Sequence, residues 1–318
     1  MLLAVVMTLA GLLLLYYGAE YLVSGSSRLA LALGVRPLIV GLTVVAFATS
    51  MPELMVSLFA SVKGSASIAA GNIVGSNIAN IALILGVAAL LHPLLVARTT
   101  LIREIPMMIV ASIAVYSFAW DGELSFINGL VLFLGLLGFV GYCIATARDK
   151  GESREPADQK LDSGKGADRK RNQIMILLGI FGLGVGAELM VRGAVMIASW
   201  FGVPEIIIGL SVVAVGTSLP ELAASMMSAW KGEMDISVGN VIGSNIFNVL
   251  FVLGICPMVR PLQIEPRVLL VDFPIMLGFS GLLVVLLLCF HPVRQIDRRR
   301  GGILLASYVL FMGSLFLW

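Results

Sequence analysis

Apolar residues in this chain come in long runs separated by short polar turns. The runs fall near 2–23, 37–61, 67–91, 104–120, 126–147, 173–192, 204–229, 235–256, 268–290 and 302–318. About 20 apolar residues in helical form cross the hydrocarbon core of a bilayer, so the pattern predicts ten transmembrane helices. Only the stretch from Arg148 to Asn172, RDKGESREPADQKLDSGKGADRKRN, is clearly aqueous. With eight basic and six acidic residues it predicts a flexible charged linker, too short to hold a regulatory domain. The chain runs apolar from Leu2 with no basic leader, which predicts a retained first helix rather than a cleaved signal peptide.

The polar positions inside the runs repeat. Residues 41–86 and 209–254 align without a gap at an offset of 168, with 23 of 46 positions identical. The register extends to Gly18-Ala19-Glu20 with Gly186-Ala187-Glu188, and to Glu104 and Pro106 with Asp272 and Pro274. The chain therefore reads as a duplication: a first repeat over 1–147, the linker over 148–172 and a second repeat over 173–318. Five crossings per repeat is an odd number, so the second must enter from the opposite face. The predicted fold is an all-α integral membrane protein of two inverted five-helix repeats, an arrangement typical of transporters with a site near the midplane.

Each repeat carries two motifs. The first is Thr49-Ser50-Met51-Pro52-Glu53, matched by Thr217-Ser218-Leu219-Pro220-Glu221. Proline lacks an N–H and clashes with the carbonyl four residues back, which predicts broken helices at the centre with freed carbonyls. At membrane depth such breaks are tolerated only against protein or a water-filled cavity. Thr49, Glu53 and Ser57 share a helix face, as do Thr217, Glu221 and Ser225. The second motif, GN-x-x-GSN-x-x-N, places Ser76 and Asn80, and Ser244 and Asn248, four residues apart. Gly71 and Gly75, like Gly239 and Gly243, form a small-xxx-small pattern for close helix packing. The pooled groups are two carboxylates, hydroxyls, amide oxygens and carbonyls, with no Lys, Arg or His in the central part of these helices. Such a cage suits hard cations: Ca²⁺ takes 6–8 oxygens in flexible geometry. One Ca²⁺ or two Na⁺ neutralise the same two charges, which is a basis for exchange. Ser57 and Ser225 are expected to be structural, and Asn72, Asn240, Asn77 and Asn245 to be helix-packing groups. Glu188 is expected to pair with Arg192 near an interface.

Composition sharpens this picture. The chain has 318 residues, 59% hydrophobic and 13% charged, with mean hydropathy +1.01, against about 25% charged for a soluble domain. A net charge of +2 with no basic aromatic face excludes nucleic acid as a partner. Cys143, Cys256 and Cys289 lie in apolar runs without CxxC spacing and read as packing residues; His92 and His291 read as interfacial. With the N-terminus outside, 17 of the 21 Lys and Arg fall on the cytoplasmic side and 4 outside, so both termini are expected outside and the linker in the cytoplasm. The location expected is the cell (inner) membrane, with a monomer as the oligomeric state.

With these residues in view, the sequence resembles the prokaryotic sodium/calcium exchangers of the Ca²⁺:cation antiporter superfamily. The carriers are GTSLPE and ATSMPE with GNVIGSNIFN and GNIVGSNIAN, and the resemblance covers the whole chain. It implies alternating access, with the first and sixth helices sliding past a fixed core, and Ca²⁺ extrusion driven by Na⁺ entry. It implies that Glu53 and Glu221 bind both ions, and that Thr49, Thr217, Ser50 and Ser218 line the sites. Ser76 and Ser244, with the carbonyls near Ala46 and Ala214, would serve Na⁺, and Asn80 and Asn248 the central site. No cofactor is implied beyond the transported Ca²⁺ and Na⁺. Some relatives carry Asp at one of the last two positions; Asn at both makes K⁺ co-transport less expected. H⁺-coupled Ca²⁺ exchange is the alternative on the same fold. A channel is disfavoured by a closed cage. An intramembrane phosphoryl-transfer enzyme is disfavoured by the lack of cationic clamps, and no enzymatic activity is expected.

Overall fold

The computed structural model describes residues 1–147, 167–202, 214–289 and 295–314. In chain order its helices are α1 (Leu2–Leu33), α2 (Pro37–Thr49), α3 (Met51–Lys63), α4 (Ala66–Leu91), α5 (Thr100–Asp121), α6 (Phe126–Thr146), α7 (Ala167–Trp200), α8 (Ala214–Thr217), α9 (Leu219–Trp230), α10 (Met234–Val259), α11 (Val268–Leu288) and α12 (Arg298–Ser314). Among the described residues seven helices are long and apolar enough to span alone, and α2 with α3, bent by 43°, makes an eighth. The protein is a multi-pass membrane protein. Ten spans were expected; of the remaining two runs, 204–229 and 302–318 each lie partly outside the described residues, as do His291 and most of the linker.

Two helices overshoot the predicted boundaries. α1 and α7 have 32 and 34 residues, about 48–51 Å at 1.5 Å per residue, well beyond a hydrocarbon core of about 30 Å. The extra length carries the helices through the polar stretches SGSSR of α1 and ADRKRNQ of α7. α1 stops at Gly34, whose φ of 64° closes a left-handed cap, and Pro37 then starts α2.

α1 and α7 lie antiparallel, backbone against backbone. Gly11, Gly18 and Gly25 recur every seven residues on α1; Gly179, Gly186 and Gly193 stand at the same positions plus 168 on α7. A Cβ at Gly11 would sit 2.7 Å from the Gly186 carbonyl oxygen, at Gly179 2.5 Å from Leu22 N, and at Gly193 2.3 Å from Thr8 Oγ1. Only glycine admits this approach. Leu15, Leu22, Ile176 and Leu183 of the pair join Val45 and Ala48 of α2, Ala224 and Met227 of α9 and Ile236 of α10 in a second, smaller apolar cluster beside the main core.

The main core is built around α4 and α10, whose span windows are 78% and 83% buried against 28–39% for the other spans. α10 packs on α2 through Gly239 and Gly243, where a Cβ would come within 2.7 Å of Leu38 O and 2.6 Å of Leu42 O. A Cβ at Gly71 or Gly75 would meet nothing within 4 Å among the described residues. Cys143 and Cys256 are buried free thiols.

Among the described residues four two-residue strands tie the halves together. β1 (Leu94–Leu95) pairs antiparallel with β4 (Gln295–Ile296), and β2 (Glu123–Leu124) with β3 (Leu262–Gln263). Strands this short are not stable alone. Each pair is held by buried residues, Leu94 against Ile296 and Leu124 against Leu262.

Candidate functional site

The breaks at the two TS-x-PE motifs fall where proline requires them. Ser50 (φ −79°, ψ 1°) and Ser218 (φ −89°, ψ 5°) leave the helical basin, and Pro52 and Pro220 occupy the first turns of α3 and α9. Glu53 and Glu221 follow, each fully buried, and each is in the first turn of its helix, where the positive end of the helix dipole favours an anion.

α4 and α10 brace these breaks crosswise. Asn72 Nδ2 donates to the Glu53 carbonyl (3.4 Å) and to Ser57 Oγ (3.0 Å), while its Oδ1 accepts from Thr217 Oγ1 (3.4 Å). Asn240 Nδ2 donates to the Glu221 carbonyl (3.3 Å) and Ser225 Oγ (2.9 Å), and its Oδ1 accepts from Thr49 Oγ1 (3.2 Å). Each asparagine thus holds its own half's glutamate helix and the other half's threonine. This bridging was not legible in the sequence, where repetition at the same offset was the only signal for these residues. Ser57 and Ser225 are taken up in the bracing, in the structural role expected of them.

Several of the predicted residues lie within hydrogen-bond reach of one another. Ser76 Oγ donates to Glu53 Oε1 (3.5 Å), Ser218 Oγ to Ser76 Oγ (3.4 Å), and the hydroxyls of Thr49 and Ser244 lie 3.3 Å apart. The Glu53–Ser76–Ser218 chain links the Glu53 carboxylate to the helix break of the other half. The Ala46 carbonyl accepts from Ser50 N (2.9 Å) and Thr49 Oγ1 (3.4 Å), so it is engaged within its own helix turn. Ala214 opens α8, but its side chain lies outside the described set. Asn80 and Asn248 each open a π-helical turn, Asn80–Ile84 and Asn248–Val252, a widening of the ladder frequent at functional sites.

What remains unbonded defines the chemistry. Among the described residues, Ser50 Oγ, Glu53 Oε2, Asn80 Oδ1, both carboxylate oxygens of Glu221 and Asn248 Oδ1 are buried in the motifs without a hydrogen-bond partner, while Ser26 Oγ, Glu104 Oε2 and Asn172 Oδ1 are the others, outside the motifs. Buried acceptors are nearly always satisfied, and the six motif oxygens come from both halves. No ion pair reaches either carboxylate among the described residues. No group of three or more His, Cys, Asp or Glu occurs there either, so the set is hard oxygen with two negative charges. Outside it, Glu188 pairs with Arg192 at 2.5 Å, both largely exposed, while Glu20 pairs with Lys231 at 3.3 Å.

Comparison with known proteins agrees along the whole chain. The sequence profile of the sodium/calcium exchanger protein family matches residues 3–145 and 172–317. The chain is 37% identical over 319 residues to the inner membrane protein YrbG of Escherichia coli, covering 99% of this chain and 98% of that one. It is 33% identical over 351 residues to the sodium/calcium exchanger MaX1 of Methanosarcina acetivorans, covering 97% of each. Among solved structures, the sodium–calcium exchanger NCX_Mj soaked with Na⁺ and Ca²⁺ superposes with a TM-score of 0.85 at 32% identity, covering 98% of both chains. This chain belongs to the sodium/calcium exchanger protein family, a membrane transporter of the antiport class.

Proposed function

We propose that the protein exchanges Na⁺ for Ca²⁺ by alternating access, extruding Ca²⁺ as Na⁺ enters. One observation carries the reading: six buried, unpartnered oxygens of the four motifs, with Glu53 and Glu221 among them. A buried carboxylate without a counter-charge costs several kcal/mol, on the order of the effective ion-burial penalty in proteins, so cations are the natural complement. Six oxygens are the lower bound of a Ca²⁺ shell. Thr49, Thr217, Ser50, Ser218, Ser76 and Ser244 line the path around the glutamates, Asn80 and Asn248 close its centre, and the carbonyls near Ala46 and Ala214 flank it. MaX1 and NCX_Mj are named for the same pair of ions, which supports Na⁺ as the coupling ion.

The remaining parts of the reading follow from the repeat. The chain forms ten spans as two inverted five-helix repeats, 1–147 and 173–318, with both termini outside and the 148–172 linker in the cytoplasm. The glycine-packed α1–α7 pair moves as one body along the core and uncovers the site on alternate sides. The close glycine contacts between the two helices support their moving together. The exchanger works as a monomer and needs no cofactor, because one chain supplies every oxygen of the cage.

Radioactive Ca²⁺ uptake into proteoliposomes tests this. Internal Na⁺ should drive uptake, while internal K⁺ or acid should not. Uptake driven by a pH gradient and indifferent to Na⁺ would replace Na⁺ with H⁺ as the counter-ion.

A further inference from the structure

Four asparagines meet where α4 and α10 cross, each at most 1% exposed: Asn77, Asn80, Asn245 and Asn248. Their hydrogen bonds form a reciprocal set. Asn77 Nδ2 donates to the Asn245 carbonyl (3.3 Å) and Asn245 Nδ2 to the Asn77 carbonyl (3.4 Å). The same two amide nitrogens contact methionine sulfurs, Asn77 the Met276 Sδ (3.7 Å) and Asn245 the Met108 Sδ (3.5 Å). With their nitrogens committed, both side chains present Oδ1 to the opposite half. Asn77 Oδ1 accepts from Asn248 Nδ2 at 3.0 Å, and Asn245 Oδ1 accepts from Asn80 Nδ2 at 2.9 Å.

This set admits one orientation of every amide. Turning Asn77 over would set its Oδ1 against the Asn245 carbonyl and a sulfur, and its Nδ2 against the Asn248 nitrogen. Turning Asn248 over would set oxygen against oxygen. All four Nδ2 groups and the Oδ1 of Asn77 and Asn245 are satisfied. The Oδ1 of Asn80 and of Asn248 are the two atoms of the set left unpartnered.

We propose that Asn77 and Asn245 are positioning residues, each turning the carboxamide oxygen of an asparagine from the other half toward the ions. Asn77 acts on Asn248, and Asn245 acts on Asn80. The inference rests on the reading of Asn80 and Asn248 as cation ligands. It adds that the arrangement is crossed, so that neither ligand is oriented by its neighbour three residues away on its own helix. It also identifies a specificity device: an acceptor at Asn77 Oδ1 selects an amide, which can donate, over a carboxylate, which cannot. The cage is thereby kept at the two charges of Glu53 and Glu221.

Double-mutant cycles on the KM for Ca²⁺ test the crossing. Loss of a group that orients a metal ligand typically weakens metal affinity about 10- to 100-fold, so Asn77→Ala and Asn248→Ala are each expected to raise KM about tenfold. The double variant should be no worse than either alone, because the two remove one and the same function. Asn77→Ala with Asn80→Ala should instead multiply. The mirror cycle predicts coupling of Asn245 with Asn80 and independence from Asn248. Met276→Leu loosens the Asn77 amide with little change of volume and should raise KM two- to threefold with kcat retained. It serves if an alanine variant is not recovered in the membrane. Coupling within one helix rather than across, or multiplication in every pair, overturns the proposal. An unchanged KM in Asn248→Ala would instead overturn the ligand role of Asn248 on which it rests.

Discussion

Glu53 and Glu221 are buried and, among the described residues, paired with no cationic side chain, and their isosteric amides are the sharpest probes of them. Glu53→Gln and Glu221→Gln each remove one charge at constant volume. Both should abolish Na⁺-driven Ca²⁺ uptake while leaving the protein folded and membrane-inserted. The ion-free form should gain thermal stability, since a buried charge has gone, and the rise of Tm on adding Ca²⁺ should disappear. For the unaltered protein that rise corresponds to about 2.7 kcal/mol at a Ca²⁺ concentration 100 times Kd. Unimpaired uptake by either variant would remove the glutamates from the mechanism. Asn248→Asp tests the neutral centre. An ionised carboxylate at this position would face the acceptor Oδ1 of Asn77 near the negative Glu53 and Glu221, so the variant should transport best at low pH and lose activity as pH rises. A flat pH profile in proteoliposomes would contradict this.

Among the elements, the breaks at Ser50 and Ser218 were legible because proline dictates them, and the helix pairing of Glu188 with Arg192 because the spacing does. The roles of Asn72 and Asn240 were not, because their partners lie on other helices and no local rule points to them. The same limit hid the α1–α7 contact. Glycines seven apart in an apolar run are compatible with many surfaces, and only the packed pair shows that they face one another. That contact predicts a sharp contrast on one helix. Gly186→Leu drives a side chain into Leu15 N and the Gly11 carbonyl, whose atoms a Cβ alone would meet at 2.8 and 3.0 Å. Overpacking costs about 1–3 kcal/mol even against side chains, and here the obstacle is backbone. The variant should lose transport and melt earlier. Gly184→Ala, two residues away, meets nothing within 4 Å. It should be neutral in transport and gain up to about 1 kcal/mol in helix stability. Equal effects in thermal melts of the two variants would rule out the close track.

At the scale of the molecule, side-chain contacts tie α1 to the turn between α9 and α10. Lys231 Nζ bonds Glu20 Oε1 (3.3 Å) and Ser24 Oγ (2.7 Å), and Ser27 Oγ bonds Glu233. The counterpart of Glu20, Glu188, is instead engaged by Arg192 of its own helix. Exposed pairs are worth about 0–1 kcal/mol, so Lys231→Met should shift the balance between the two access states by no more than about fivefold. Cysteine accessibility measured from each side of the membrane reads that shift, and an unchanged ratio would show that the tether has no bearing on access. The strand exchange has a larger consequence. Because β1 grips β4 and β2 grips β3, the two halves are clasped at both ends of the bundle by contacts that ignore chain order. Opening the polypeptide between Gln159 and Lys160 should therefore leave a pair of fragments that find each other in the membrane and work. On that outcome two separate genes could encode this machine.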